Sequence, residues 1–241
     1  MNLKATLFSL LAFALSFAAV SAAPLSYNLA GNNTLLADGV SNVYTSNGVN
    51  LTVTSWSLAN LASTFSTAST GLWSPGLGVC NDSEVAAGCS PNTHTVDNVA
   101  GYDFILFQFS APVSGASFSL KAFGDTDVTY WTSASSFASG ALAGKTVGDI
   151  INPPFGFGPM TTNSGGSVDR SVAINGTGIS SILLGAAYSL NNCDDLFKIA
   201  GIAATSSTTP PPPGQVPEPS TFAMLGGALV GLSVALRRRT A

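Results

Sequence analysis

The sequence predicts an all-β ectodomain, an antiparallel β-sandwich, placed between an N-terminal signal helix and a short C-terminal transmembrane helix. Apolar and polar residues alternate with period two at several places in the middle of the chain. Clusters of Gly, Asn, Ser and Pro separate these runs, and no long stretch between the two ends has a convincing 3.6-residue period. Many short strands need two packed sheets to bury their apolar faces, so we expect a sandwich, with a jelly roll as one possible topology.

Charge is scarce and unevenly distributed along the 241 residues. Only 8% of the residues are charged, against about 25% in an ordinary soluble domain. Residues 24–214 nevertheless contain eleven acidic and four basic residues, a net charge of −7. Such an acidic domain lacks the basic stripe that a nucleic-acid partner requires. It also disfavours anionic polysaccharide unless a divalent cation bridges the two.

The N-terminus has the layout of a secretory signal peptide. Lys4 precedes an apolar run over residues 7–20, and small residues follow it. About 14 apolar residues are too few to span a bilayer comfortably, which disfavours a retained anchor. We therefore expect residues 1–22 to be removed by signal peptidase, with cleavage after Ala22.

Six segments carry the strand pattern of the ectodomain, residues 23–204. Three of them alternate and should have one wet face, whereas two denser apolar runs, 104–109 and 179–184, should be central strands covered on both sides. The alternating runs are residues 49–54, 116–122 and 171–174. Residues 197–202 form the expected last strand.

The C-terminal region has three parts in sequence. Residues 205–215 contain four consecutive prolines, which favour an extended spacer, so we assign them as a linker. Residues 216–241 begin with Val216, Pro217, Glu218 and Pro219 and continue into an uncharged stretch, residues 221–236. As a helix that stretch would be ~24 Å long, which inserts only marginally into a ~30 Å hydrocarbon core. Arg237, Arg238 and Arg239 would stay on the cytoplasmic side of the inner membrane.

This order of parts closely resembles the PEP-CTERM sorting signal of exported bacterial proteins. The resemblance covers residues 216–239. It implies processing by an exosortase, a membrane enzyme that recognises Pro217-Glu218-Pro219 and cleaves nearby, in Gram-negative bacteria that make exopolysaccharide. The alternative is a permanent single-pass anchor with a proline-rich stalk.

A second, shorter set of motifs resembles the ectodomain of a group of PEP-CTERM surface proteins. This resemblance supports an extracellular β-sandwich and implies no catalytic activity. The motifs lie at residues 77–81, 94–98, 103–109, 125–131 and 195–199.

The cysteines and the acids suggest further sites. Cys80 and Cys89 bracket a short polar loop and are the expected disulfide, although the sequence alone allows three pairings among Cys80, Cys89 and Cys193. Asp125 and Asp127, at i and i+2, point to one side of an extended segment and are candidate ligands for a structural calcium ion. Further oxygen ligands are available if loops bring them close: Asp82, Glu84, Asp97, Asn98, Asp194 and Asp195. Turn-forming Asp and Asn residues are the alternative interpretation.

Catalytic motifs are weak. His94 is the one histidine and Asp97 follows it, but no Ser lies in a G-x-S-x-G elbow, and the cysteine spacing does not predict zinc. Nothing in the sequence sets two carboxylates at the separation that a glycosidase needs. Tyr130 and Trp131 could form the rim of a sugar site, although tryptophans of an all-β domain more often lie in the core.

The sequence thus predicts a non-enzymatic, exported protein of the cell surface or extracellular matrix. Its expected partners are signal peptidase, an exosortase, the inner membrane before processing, and exopolysaccharide of a biofilm. No cofactor other than structural calcium is expected. A carbohydrate-binding or adhesive module is the second hypothesis, and a glycoside hydrolase is the third.

Overall fold

A computed structural model of the chain describes residues 22–85, 88–90, 94–188 and 193–207. The predicted signal segment apart from Ala22, and almost all of the linker and tail, lie outside these residues. Among the described residues, no helix is both long and apolar enough to cross a membrane.

The described chain is an antiparallel all-β domain, which confirms the predicted fold class. Two single-turn helices interrupt the strands: α1 (Asp82–Val85) and α2 (Val147–Ile150). The strands, in chain order, are β1 (Pro24–Asn28), β2 (Thr34–Leu35), β3 (Asn42–Ser46), β4 (Val49–Leu58), β5 (Ser66–Trp73), β6 (Gly76–Cys80), β7 (Val96–Asp97), β8 (Tyr102–Ala122), β9 (Val128–Ser133), β10 (Thr161–Asn163), β11 (Arg170–Ile174), β12 (Ile179–Ala186) and β13 (Leu196–Ser206).

Strand β8 organises the fold because it is 21 residues long and takes part in two halves of the domain. Its first half pairs with β4 and β12, and its second half pairs with β11 and β13. The sequence predicts two strands here, 104–109 and 116–122, but the structure joins them into one. The register advances five residues on β8, from Gln108 to Val113, for two on β12, so the junction is bulged.

The halves of β8 enclose the larger of two hydrophobic cores. Phe107 and Phe118, one from each half, meet with their ring centroids 5.0 Å apart. Pairing also runs from β4 through β5 and β6 to β13, which returns to β8, so the hydrogen-bonded path closes on itself. The two halves are therefore linked by continuous strand pairing.

A second core covers the opposite face of the central strands. Phe104 and Leu106 point into it, whereas Ile105 and Phe107 point into the first core, as period-two alternation requires. The segment after β9, which contains α2, supplies the cover with Leu142, Ile150, Phe155 and Phe157. The prediction that residues 104–109 and 179–184 are covered on both sides is confirmed.

The domain ends slightly later than the sequence suggests. Strand β13 continues to Ser206 and pairs with β1 and β8, so Thr205 and Ser206 belong to the sheet and not to the linker. Backbone pairing with β8 holds these two residues in the sheet. The sequence does not predict this pairing, because a Ser/Thr-rich composition does not reveal which strand lies beside a segment.

Candidate functional sites

Two groups of acidic side chains lie inside the described domain, close to where β13 begins. We call the first the Asp195 cluster, which consists of Asp125, Asp194 and Asp195. An isolated parallel bridge places Asp125 beside Asp195. The Asp125 amide donates to the Asp194 carbonyl at 2.9 Å, and the Leu196 amide donates to the Asp125 carbonyl at 2.9 Å. The two backbone segments thus hold one carboxylate oxygen of each acid within 4.8 Å of the others.

Asp195 is the buried member of this cluster, with 0% of its surface exposed. Its Oδ2 accepts hydrogen bonds from Asn98 Nδ2 at 2.6 Å and from the Ala187 amide at 3.2 Å. Its Oδ1 is buried and has no hydrogen-bond partner. Burial, with the charges of Asp127, Asp125 and Asp194, raises the pKa of Asp195 to about 7.

The cluster differs from the calcium site that the sequence suggests. Asp127 does not join Asp125; its carboxylate accepts a hydrogen bond from the Gly165 amide and acts on Asp195 only through its charge. Residues 125–127 precede β9 without forming a regular strand, so the i, i+2 argument does not apply there. The acids that lie beside Asp125 are Asp194 and Asp195. The sequence suggested these two as further oxygen ligands on the condition that loops bring them close.

The second group, the Asp103 cluster, consists of Glu84, Asp97 and Asp103, whose carboxylate oxygens also lie within 4.8 Å of one another. Asp103 is 0% exposed; its Oδ1 accepts from Asn81 Nδ2 at 3.0 Å, and its Oδ2 has no hydrogen-bond partner. Asp97 accepts from the Thr95 hydroxyl at 3.0 Å and from the Val99 amide at 3.1 Å.

Burial and mutual repulsion make the Asp103 cluster bind a proton more readily than exposed carboxylates do. Desolvation, reinforced by Glu84, raises the pKa of Asp97 to about 6. Desolvation, with the charges of Asp97 and Glu84, holds the pKa of Asp103 well above its ordinary value. Protonation thus relieves the repulsion between carboxylates that have little access to water.

His94 belongs to the wall of this second cluster. It is buried, its Nε2 contacts the Gly88 carbonyl at 3.1 Å, and its Nδ1 lies 3.4 Å from Glu84 Oε1. The nearby Asp97 carboxylate accepts hydrogen bonds from the Thr95 hydroxyl and the Val99 amide. The contacts of Asp97 are therefore those of a local structural network. Cys80 and Cys89 form a disulfide that closes the adjoining loop, and Cys193 is free and exposed.

Tyr130 and Trp131, which the sequence suggests as the rim of a sugar site, point to opposite faces of β9. Trp131 is 1% exposed and packs in the second core against Phe104 and Tyr188. Tyr130 packs against the first core on the other face of β9. Neighbouring residues of a strand point to opposite faces, so the two rings do not form one stacking platform. Trp56 and Trp73 are also buried.

A polar groove lies elsewhere on the domain, between the β3–β4 edge and the segment after β9. It has a volume of about 240 Å³. Its lining is rich in hydroxyl groups and includes Ser41, Thr52, Thr54, Gln108, Phe109, Ser110, Ser136, Phe137 and Ser139. This groove is not predictable from the sequence, because its lining comes from segments that lie far apart along the chain.

The C-terminus is where a known family is recognised. Residues 215–239 match the family described as the PEP-CTERM protein-sorting motif. The chain carries a PEP-CTERM sorting motif. The match includes Val216, Pro217, Glu218, Pro219 and the three terminal arginines, all of which lie outside the described residues. The PEP-CTERM motif implies an exported, membrane-anchored precursor that is processed for the cell surface.

Other comparisons add little to the PEP-CTERM assignment. A rhamnosidase from Klebsiella oxytoca, with rhamnose bound, is similar over 77% of this chain, with 7% sequence identity and a TM-score of 0.31. The aligned region spans 29% of that rhamnosidase. No curated protein sequence matches the chain.

Proposed function

We propose that this protein is a non-catalytic structural component of the cell surface or extracellular matrix, associated with exopolysaccharide. The PEP-CTERM motif at residues 215–239 carries the proposal, because it assigns the acidic β domain a place outside the cytoplasm. Signal peptidase would remove residues 1–22, and an exosortase would then act at Pro217-Glu218-Pro219. The domain would leave the membrane with its linker attached.

The geometry of the Asp103 cluster does not suit a glycosidase. A glycosidase needs two carboxyl groups that flank a bound sugar, about 5–5.5 Å apart or about 6.5–9.5 Å apart. In the Asp103 cluster the carboxylates approach within 4.8 Å, and Asp97 and Asp103 are 3% and 0% exposed. A sugar ring does not fit between groups that are this close and this deeply buried.

The sorting step is tested by following both ends of the domain in cells. An epitope after residue 207 and a second one after Arg239 would be followed by immunoblotting of membrane, surface and medium fractions. We expect the surface form to retain the first epitope and to lack the second. Alanine at Pro217, Glu218 and Pro219 together should leave both epitopes in the membrane fraction.

The matched control places alanine at Pro211, Pro212 and Pro213 in the linker. These substitutions also remove proline but leave the sorting motif intact, so processing should continue. Surface protein that always carries the second epitope would refute sorting and would favour the permanent anchor.

The polar groove supports a second candidate, a carbohydrate-binding module. Hydroxyl and amide groups beside the Phe137 ring are the kind of surface that binds sugars. Binding of the host exopolysaccharide to the surface form should fall when Ser41→Arg and Ser139→Arg fill the groove. Ser171→Arg, on the exposed side of β11, is the control. No binding in the unaltered protein would favour the structural role alone.

A further inference from the structure

The Asp195 cluster brings together acids from distant parts of the chain, and one of its members is exposed. Its three carboxylates come from two chain segments that are 69 residues apart, and a backbone bridge holds them together. One carboxylate is exposed, one is half-buried and one is fully buried, so the cluster is open to solvent on one side only. The Asp103 cluster has no comparably exposed member, since Glu84 is half-buried and the other two acids are buried.

The buried Oδ1 atom of Asp195, which has no hydrogen-bond partner, points to a ligand. Each carboxylate oxygen prefers at least one donor or cation, and a buried oxygen without one is costly. The other oxygen, Oδ2, already accepts two hydrogen bonds, which fix the orientation of the carboxylate. Asn98 also accepts from the Asp195 amide at 3.2 Å, so both the side chain and the backbone of Asp195 are held. The unpaired oxygen thus belongs to a rigid group whose neighbours are two further carboxylates.

We propose that Asp125, Asp194 and Asp195 bind a calcium ion, with Asp195 as the buried ligand that Asn98 and the Ala187 amide orient. Oxygens that share one Ca²⁺ lie at most about 4.8 Å apart, twice an ion–oxygen distance of about 2.4 Å. The three carboxylates meet that limit. The exposed Asp194 leaves room for the water molecules that complete a shell of six to eight oxygens.

The donor set selects the class of metal. All three groups offer oxygen, and neither histidine nor cysteine belongs to the cluster, which disfavours zinc. Magnesium demands a near-ideal octahedron, whereas calcium accepts irregular sites with mono- or bidentate carboxylates. The bound ion would tie the end of β8 to the start of β13, the two strands that Asp125 and Asp195 adjoin. This site does not depend on the proposed matrix role.

Equilibrium dialysis with ⁴⁵Ca²⁺ tests the proposal on the full-length protein in mild detergent, at 0.15 M KCl. We expect about one ion per chain and a melting temperature that rises by several degrees with calcium. Asp194→Asn removes a ligand from the exposed side and should weaken binding at least 10-fold without disturbing the fold. Asp195→Asn should abolish binding, and Asp127→Asn should weaken it only a few-fold through lost charge.

The matched control is Asp169→Asn, which removes the same charge from an exposed acid that pairs with Lys121. Its calcium binding should equal that of the unaltered protein. No calcium binding in the unaltered protein, or equal binding in Asp194→Asn and Asp169→Asn, would overturn the proposal. Magnesium binding as tight as that of calcium would overturn the choice of ion.

Discussion

Asp103 is fully buried, as Asp195 is, and the charge of a buried carboxylate is hard to maintain. It lies at the start of β8 with Asn81 on one oxygen and two other carboxylates nearby. A neutral, protonated carboxyl can donate to a neighbouring carboxylate, whereas a charged one adds to the repulsion. The state of this residue therefore links stability to pH.

We predict that the free energy of unfolding falls as pH rises from about 4 to about 7. The folded-state pKa of Asp97, about 6, and that of Asp103 are raised above their unfolded values. In that window the unfolded chain has lost protons that the folded chain retains, so higher pH favours unfolding. Urea unfolding at a series of pH values and at fixed calcium concentration measures the slope.

Asp103→Asn should flatten that slope and increase stability at pH 7 by about 1–2 kcal/mol, since an amide carries no charge and can donate to Asp97 or Glu84. Asp169→Asn, at an exposed position, should leave the slope between pH 5 and pH 7 unchanged. A variant at Asp103 that keeps the full pH dependence would show that this cluster does not hold the proton.

At the scale of elements, strand β8 connects the parts of the domain. It borders β4, β11, β12 and β13, and its two halves line opposite sides of the first core. Gly115 has a φ of +63°, a left-handed conformation that glycine adopts without steric cost, and its amide donates to the Gly176 carbonyl at 2.8 Å. The bulge and this glycine allow one strand to change direction where the sequence suggests a break between two.

Removal of the side-chain contact between the two halves of β8 should lower the free energy of unfolding. Phe107 is fully buried and packs edge-to-face on Phe118. We predict that Phe107→Ala lowers the free energy of unfolding by about 3–5 kcal/mol, through lost burial and the cavity that remains. Val168→Ala, at a position 65% exposed, is the control and should change it by less than about 0.5 kcal/mol. A loss below about 1 kcal/mol in Phe107→Ala would show that the two halves do not share one core.

The strands that the sequence predicts are those whose side chains alternate or run apolar, such as residues 49–54 and 179–184. Strand β5 went unpredicted because Ser, Thr and Gly make up most of it, and β6 went unpredicted because it is short and contains two glycines. The two strands are stabilised by pairing with each other and with their neighbours. Local periodicity identifies strands but carries no information on what lies across the sheet.

The candidate sites depend on long-range packing even more strongly. Asn98 and Asp195 form a hydrogen bond across 97 residues, and no spacing rule predicts that contact. Of the suggested pair Asp125 and Asp127, only Asp125 lies in the group with Asp194 and Asp195. Trp131 illustrates the same limit, because a period-two pattern does not show that both faces of β9 are covered.

At the scale of the whole molecule, the low charge of the chain has two sources. The apolar terminal segments at residues 7–20 and 221–236 are uncharged, and Lys4 with the three terminal arginines holds half of the eight basic residues. The remaining domain is acidic, and several of its acids are turned inward. The chain thus combines an acidic domain with a tail whose sorting motif matches a known family.

The intact mass of the protein recovered from the cell surface tests the central claim most directly. If an exosortase sorts the chain, the mass should correspond to a polypeptide that lacks the apolar segment at residues 221–236 and the terminal arginines. Loss of residues 1–22 from the same molecule would establish export by the signal peptide. A surface form whose mass includes Arg237, Arg238 and Arg239 would contradict sorting by cleavage.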